Sequence, residues 1–348
     1  MKTLYGVQYL RALAALAVVV FHAAEKTGGS FAIGAAGVDV FFVISGFIMW
    51  VITARRPVTP AQFLAERAVR IVPIYWLATL AMVAGGLVGL FPNLKLTIAH
   101  VMASLFFIPM RSPSSGEIWP VLVQGWTLNY EMFFYAVFAL ALLLPRRRQL
   151  PAVAIAMGGL TLASALMPSD NALAATYMRP IILEFVAGMM LGQLFLSGRV
   201  PGAVIGGAMV AASLSGFAAI AIFRLPFDEW TCGPLAAMLV LGTVSLEEGG
   251  LMRPMAVPRL LGDASYSIYL WHTFAISVVA RLGERLGVSP LTTLVIASIV
   301  GVAGGIAAYR LLEQPLLNLR RRPSVPSASP AARMPCRERG AASSHTWS

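Results

Sequence analysis

The stretch VQYLRALAALAVVVFHAAE, residues 7–25, decides how this chain is read. It is about as long as the 20 or so mostly apolar residues that cross a bilayer. Yet it carries Arg11 and His22 on either side of the apolar run Ala12–Phe21. At about 100° per residue the eleven positions between them amount to nearly whole turns, so both side chains share one helical face, roughly 16 Å apart along the axis. An ionisable side chain inside a bilayer is expensive and marks a functional site. Two on one stripe make that reading hard to set aside.

Working outward, the 348 residues are 58% hydrophobic and only 12% charged, against about 25% charged in an ordinary soluble domain. Runs long enough to span, or nearly so, fall at about 7–25, 34–53, 69–90, 126–144, 150–167, 179–196, 202–223, 231–247, 264–282 and 290–313. They predict an all-α polytopic membrane protein of about ten transmembrane helices. The first run reads as a retained span and not a cleaved signal, because His22 interrupts it and no small-residue cleavage pattern follows. An eleventh run, Leu96–Pro109, is short, contains His100, and reads as re-entrant or interfacial.

The net charge of +11 invites a nucleic-acid reading, but the basic residues lie between apolar runs and in the C-terminal tail. That is the Lys and Arg bias of cytoplasmic loops. With both termini cytoplasmic and 96–109 not crossing, 19 of the 26 basic residues fall inside, so no nucleic-acid partner is expected. Residues 1–318 read as one transmembrane domain, and 319–348, rich in Arg, Pro, Ser and Ala, as a disordered cytoplasmic tail. No soluble catalytic domain is expected at either end. Cys232 and Cys336 form neither a disulfide framework nor a metal-ligand spacing.

Orientation assigns depth. His22 lies near the outer end of the first span, and Asp39, in Gly37-Val38-Asp39-Val40-Phe41-Phe42, begins the second from outside. Glu131 lies just inside the outer end of the fourth. The three could share one depth, and a histidine held by a carboxylate is the usual general base for a hydroxyl near neutral pH. Asp39 reads equally well as an anion capping the second span. At the cytoplasmic side Arg11, Arg67 and Arg70 gather. Arg67 and Arg70, three apart, are neighbours on one helical face, and such a guanidinium cluster suits phosphates, although arginines also anchor spans at the interface. Tyr266 and His272, in the polar stretch Ser265–His272, are candidates to line a cavity. Glu184 is an intramembrane carboxylate without an assigned partner, and Glu313 ends the last span beside the arginines or in water. His100 and His345 read as incidental, and the glycines of Gly301–Gly305 as close helix packing.

As an ordered set these residues resemble the acyltransferase-3 family of integral membrane O-acyltransferases. The matching pieces are Arg11 and His22 with ten residues between, Gly37–Phe47 (GVDVFFVISGF), and Arg67-Ala68-Val69-Arg70. Further matches are Trp126-Thr127-Leu128 with Glu131 and Phe134-Tyr135, the Ser265–His272 stretch, and Glu313-Gln314-Pro315. The resemblance implies a ten-helix domain that takes an acyl group, commonly acetyl, from cytoplasmic acyl-CoA. The acceptor it implies is a hydroxyl of an extracytoplasmic or lipid-linked glycan. It carries over Arg11, His22, Asp39, Arg67, Arg70 and Glu131 as site residues and a bacterial inner membrane as location. Many relatives bear a fused periplasmic esterase-like domain; the N-terminal stretch here looks most like stand-alone members that acetylate exopolysaccharide of the succinoglycan type.

The mechanism expected is that the cytoplasmic arginines bind the acyl-CoA phosphates while His22 deprotonates the glycan hydroxyl, supported by Asp39 or Glu131. Direct attack on the thioester and a transient acyl-enzyme both remain open. Acyl-CoA is a substrate here, and no permanently bound cofactor and no metal are expected; the partners are the glycan acceptor and membrane lipid. The competing class is a transporter of a glycan precursor or ion-coupled solute, since intramembrane charges also mark ion pathways; the inverted repeat that would favour it is not evident. A purely structural scaffold would not need Arg11 and His22 buried together.

Overall fold

The computed structural model describes residues 4–166 and 169–321, and all regular structure among them is helical. In chain order the helices are α1 (Tyr5–Lys26), α2 (Gly37–Arg55), α3 (Pro60–Leu87), α4 (Ile98–Leu105), α5 (Trp126–Ala141), α6 (Arg146–Leu166), α7 (Ala172–Tyr177), α8 (Leu183–Leu196), α9 (Ala203–Phe223), α10 (Glu229–Glu248), α11 (Ala256–Asp263), α12 (Ser265–Arg285), α13 (Pro290–Ala308) and α14 (Gln314–Arg321). Each of the ten apolar runs has become a helix of 14 residues or more. Seven helices among the described residues are long and apolar enough to cross a membrane. The protein is a polytopic helical membrane protein. The three shortfalls have plain causes: α5 and α8 have 16 and 14 residues, and α12 carries Ser265, Ser267, His272 and two arginines along its length.

Helix starts follow local chemistry. At α3, Thr59 accepts from the backbone of Gln62 and Gln62 reaches back to Thr59, with Pro60 in the first turn, a reciprocal cap that satisfies two otherwise orphaned donors. The helix therefore begins at residue 60 and not at the expected 69, which puts Arg67 and Arg70 well inside it. The first turn of α1 has no cap of its own. The Glu247 carboxylate of α10 accepts from the amides of Tyr5 (3.0 Å) and Gly6 (2.5 Å) instead, an anion on the positive end of the helix dipole.

The core is built on α2, buried along most of its length. It lies so close to α8 that a Cβ added at Gly46 would sit 2.0 Å from the Phe185 carbonyl oxygen, and one at Gly188 would sit 2.0 Å from that of Val43. Small residues let helix backbones approach in this way where no hydrophobic effect drives association. Gly305 does the same for α13, where an added Cβ would lie 2.4 Å from the Ile268 Cα; close helix packing is the role expected of Gly301–Gly305. At the periphery α6 and α9 expose Ile155, Leu162, Val204 and Ile222, the surface that hydrocarbon would cover.

The segment 96–109 yields only α4, eight residues and about 12 Å long, too short to cross. His100 is not incidental there. It is buried, and its Nε2 lies 2.8 Å from the Trp119 carbonyl oxygen, fastening the loop that returns to α5. At the other end of the chain α13 passes into a wider π-helical turn, Tyr309–Glu313. Pro315 has no N–H to close the preceding turn, and a π turn is a common way to absorb the resulting mismatch. The tail expected at 319–348 lies, from residue 322 onward, outside the described residues, as do Cys336 and His345.

Candidate active site

Two cavities open along α1, one at each of its ionisable residues. Arg11 faces a small one of about 110 Å³, shared with Ser45 of α2, Arg67 and Arg70 of α3, Glu131 and Tyr135 of α5, and Tyr266 of α12. His22 faces a large one of about 1150 Å³. The helical stripe read from the sequence thus connects two separate spaces.

In the small cavity Glu131 is held by the Tyr135 hydroxyl, one helical turn on, and by Ser45 at 3.3 Å. Arg11 donates to Gln8 at 3.2 Å. Arg67 lies 3.9 Å from Glu66, and its buried Nε has no hydrogen-bond partner. Among the described residues no carboxylate lies within 4.0 Å of Arg11 or Arg70. Glu131 and Glu313 attract the arginines from further away. Glu313, presented by the π turn, accepts from Ser267 at 2.6 Å. Three guanidinium groups with spare donors face one space, which is what binding of a multiply charged anion requires. Tyr266 lines this cavity and donates to the Ile71 carbonyl at 2.8 Å.

At the other end His22 Nδ1 lies 2.9 Å from a Glu25 carboxylate oxygen. A carboxylate only accepts, so Nδ1 carries the proton and Nε2 is left with its lone pair, the state of a general base. Behind it, within ring contact (centroids 5.2 Å apart), lies fully buried His272. The walls of the large cavity supply Trp119, Trp126, Asn129 and Tyr130 beside Arg111 and Arg179. Arg179 is ion-paired to Glu229 of α10. Aromatic faces with amide and guanidinium donors are suited to a polyhydroxylated ligand.

The two spaces are divided by a thin polar wall. The hydroxyls of Thr127 and Tyr269 are 2.9 Å apart, and both reach the Gln124 carbonyl oxygen, at 3.2 and 3.1 Å. Thr127 and Tyr269 line the small cavity and Gln124 the large one.

The expected support of His22 by Asp39 or Glu131 is not what these neighbours give. Glu25 partners His22, and Glu131 sits among the arginines. Asp39, buried in the first turn of α2, lies against the carboxyl of Glu184 from α8, which gives Glu184 the neighbour that the sequence left unassigned. The expected clustering of Arg11, Arg67 and Arg70 is present, with Glu313 nearby. Sequence reading passed over Glu25, although three residues on one helix place it beside His22. Tyr135 and Ser45 entered only within the matched motifs and were given no role, although Tyr135 stands one helical turn from Glu131. A third omission is Arg146. Its guanidinium stacks 3.3 Å over the Trp50 ring and donates to the Trp50 carbonyl at 2.8 Å, closing the end of α2. Among the described residues no three His, Cys, Asp or Glu side chains gather as a metal-binding group.

The sequence is similar to several characterised proteins. It is 62% identical over 299 residues, 86% of this chain and 94% of the other, to the exopolysaccharide production protein ExoZ of Rhizobium meliloti (strain 1021). It is 30% identical over 280 residues, 76% of this chain and 70% of the other, to a putative membrane-bound transacylase, BcsY, of Komagataeibacter xylinus. It is 25% identical over 394 aligned positions, 95% of this chain and 96% of the other, to the acyltransferase MdmB of Streptomyces mycarofaciens. No solved structure matches it. The acyltransferase-3 model, an acyltransferase domain, matches residues 4–310, so the chain belongs to the acyltransferase-3 family and is a membrane acyltransferase.

Proposed function

We propose that this protein transfers an acetyl group from cytoplasmic acetyl-CoA to a hydroxyl of an exopolysaccharide precursor at the outer face of a bacterial inner membrane. The observation that carries the reading is the pair of cavities at the two ends of the Arg11–His22 stripe, whose linings meet in the Gln124–Thr127–Tyr269 contacts. The small arginine-lined space suits the phosphates and the thin pantetheine arm of the donor. The large aromatic and polar space suits a glycan. ExoZ is described as an exopolysaccharide production protein, which favours that acceptor class. Both termini are placed in the cytoplasm on the charge bias alone, and Asp39 with Glu184 serve the site by fixing α2 against α8.

In this reading His22 Nε2 takes the proton of the acceptor hydroxyl. The oxygen attacks the thioester carbonyl, the C–O ester bond forms, and the C–S bond breaks. The proton on His22 passes to the departing CoA sulfur. Glu25 keeps Nδ1–H in place throughout, and Glu131 tunes the arginine cluster and takes no proton. Membranes containing the protein, incubated with labelled acetyl-CoA and a lipid-linked oligosaccharide precursor, should transfer label to the glycan, and His22→Ala should abolish the transfer. Transfer surviving in His22→Ala would overturn the assignment of the base. Movement of a glycan or solute across the membrane without acylation would overturn the reaction and favour a transporter.

A further inference from the structure

The small cavity has two levels of different chemistry. Three of the helices that line it step down by one turn in the same order: Phe41 to Ser45 on α2, Thr127 to Glu131 on α5, and Tyr269 to Tyr266 on α12. Contacts tie each level together. At the first, Phe41 meets Tyr269 edge-on with ring centroids 6.2 Å apart, and the Thr127 and Tyr269 hydroxyls are 2.9 Å apart. At the second, Ser45 lies 3.3 Å from Glu131, Glu131 attracts Arg11 and Arg67, and Tyr266 donates to the carbonyl of Ile71, beside Arg70. The charged lining therefore gathers about one turn, roughly 5.4 Å, below the wall. Under the wall itself the lining is Val38, Phe41, Phe42 and Leu128, with the Thr127 and Tyr269 hydroxyls as its polar groups.

That apolar end is small and unyielding. The whole cavity is only about 110 Å³. The Phe42 ring stacks on Phe185 of α8 at 4.6 Å, and Phe185 stacks on Phe134 of α5 at 4.4 Å. Tyr130 flanks Phe42 at 6.0 Å, and Phe42, Phe134 and Phe185 are all buried. Three rings from three helices, stacked in a close-packed interior, leave Phe42 no room to swing aside.

We propose that this apolar end receives the acyl group of the donor and that Phe42 limits its length, admitting acetyl and turning away longer chains. The inference rests on acyl-CoA occupying the small cavity. The acceptor stands beyond the wall, so the end beside the wall is where the donor must present its thioester carbon. The charged parts of the donor stay with the arginines, and the uncharged acyl chain meets the apolar side chains. One methylene more or less in an apolar pocket is worth about ten- to 200-fold in kcat/KM, and here the added methylene would press on a ring that cannot move.

The test compares acetyl-, propionyl- and butyryl-CoA as donors to a lipid-linked oligosaccharide in membranes containing the protein. The readout is the ratio of kcat/KM for the longer donor to that for acetyl-CoA, which does not depend on how much of a variant folds. The parent should favour acetyl over propionyl by about ten- to 200-fold. Phe42→Leu and Phe42→Ala should raise the propionyl ratio by about tenfold or more, and Phe42→Ala should admit butyryl as well. Phe42→Leu gives the answer where Phe42→Ala fails to accumulate, because it leaves a smaller hole in the ring stack. Ile48→Ala enlarges the same cavity two turns from Phe41 and should leave the ratio within about twofold. Equal use of acetyl and propionyl by the parent, an unchanged ratio in the Phe42 variants, or an equal rise in Ile48→Ala would each overturn the inference while leaving acyl-CoA as the donor. No transfer by the parent from any of the three donors would overturn it together with the acyl-CoA reading of the cavity.

Discussion

Removing the Glu25 carboxylate is the perturbation whose size can be worked out most directly. Glu25 is the partner of His22 Nδ1 at 2.9 Å, but the pair is far from dry: the Glu25 side chain is 55% exposed and that of His22 23%. A carboxylate buried behind a catalytic histidine is worth about 10⁴ in rate. An exposed ion pair is worth about 0.2–1 kcal/mol, which at about 1.4 kcal/mol per tenfold is roughly 1.4- to fivefold. Glu25→Ala should therefore lower kcat/KM for acetyl transfer by about two- to fivefold. Glu25→Gln, whose amide oxygen still accepts from Nδ1–H, should stay within about twofold of the parent. The assay is label transfer from acetyl-CoA to glycan in membranes at saturating acceptor. A loss beyond a hundredfold in Glu25→Ala would refute the reasoning, because it would mean that the cavity closes over the pair and excludes water during the reaction. An undiminished rate in Glu25→Ala would refute it from the other side, since something else would then fix the tautomer.

Three further outcomes follow from the geometry. Arg67→Lys removes the unpartnered Nε and the paired donors of a guanidinium, so KM for acetyl-CoA should rise by about tenfold with kcat little changed; a kcat loss at constant KM would place Arg67 in the chemical step instead. Tyr269→Phe deletes a hydroxyl that contacts both Thr127 and the Gln124 carbonyl, so acetyl-CoA should leak to water, and thiol release without glycan acceptor should rise above the parent; unchanged release would show that the wall does not depend on these bonds. Gly188→Leu places its Cβ 2.0 Å from the Val43 carbonyl oxygen, whereas Gly207→Leu meets nothing closer than 3.9 Å; immunoblots should show loss of the first protein from the membrane and normal amounts of the second.

The sequence made the elements legible and the pairings much less so. Apolar runs located all ten long helices because a bilayer span announces itself by composition, and the arginine cluster was readable because Arg67 and Arg70 sit on one helix. The start of α3 was missed, because the apolar run begins at about residue 69 whereas the Thr59–Gln62 cap starts the helix at Pro60. Which carboxylate serves His22 was a different kind of question. Asp39, Glu131 and Glu25 are equally plausible by type, and only Glu25 lies on the same helix, where spacing decides. Asp39 reaches Glu184 through the approach of α2 to α8, set by backbone contacts at Gly46 and Gly188 that no periodicity encodes, and Glu131 reaches Ser45 across to α2.

The three helices that fall short of spanning by length and apolarity all carry buried polar groups. The short helix α5 brings Glu131 and Tyr135, α8 brings Glu184, and α12 brings Tyr266, Tyr269 and His272. This follows from the solvent. A polar side chain in hydrocarbon is tolerated only where protein surrounds it, so a helix carrying several must be shielded by neighbours. Such a helix loses the apolar surface by which spans are recognised. The neighbours supply what is missing: α6, α9 and α13 are apolar and face outward, with Leu162, Val204 and Ile299 exposed, while α5, α8 and α12 pack inward against α1 and α2. In this protein weak hydropathy and cavity-lining polar groups go together in α5 and α12, whereas α1 and α3 hold His22, Arg11, Arg67 and Arg70 within spans that hydropathy still recognises.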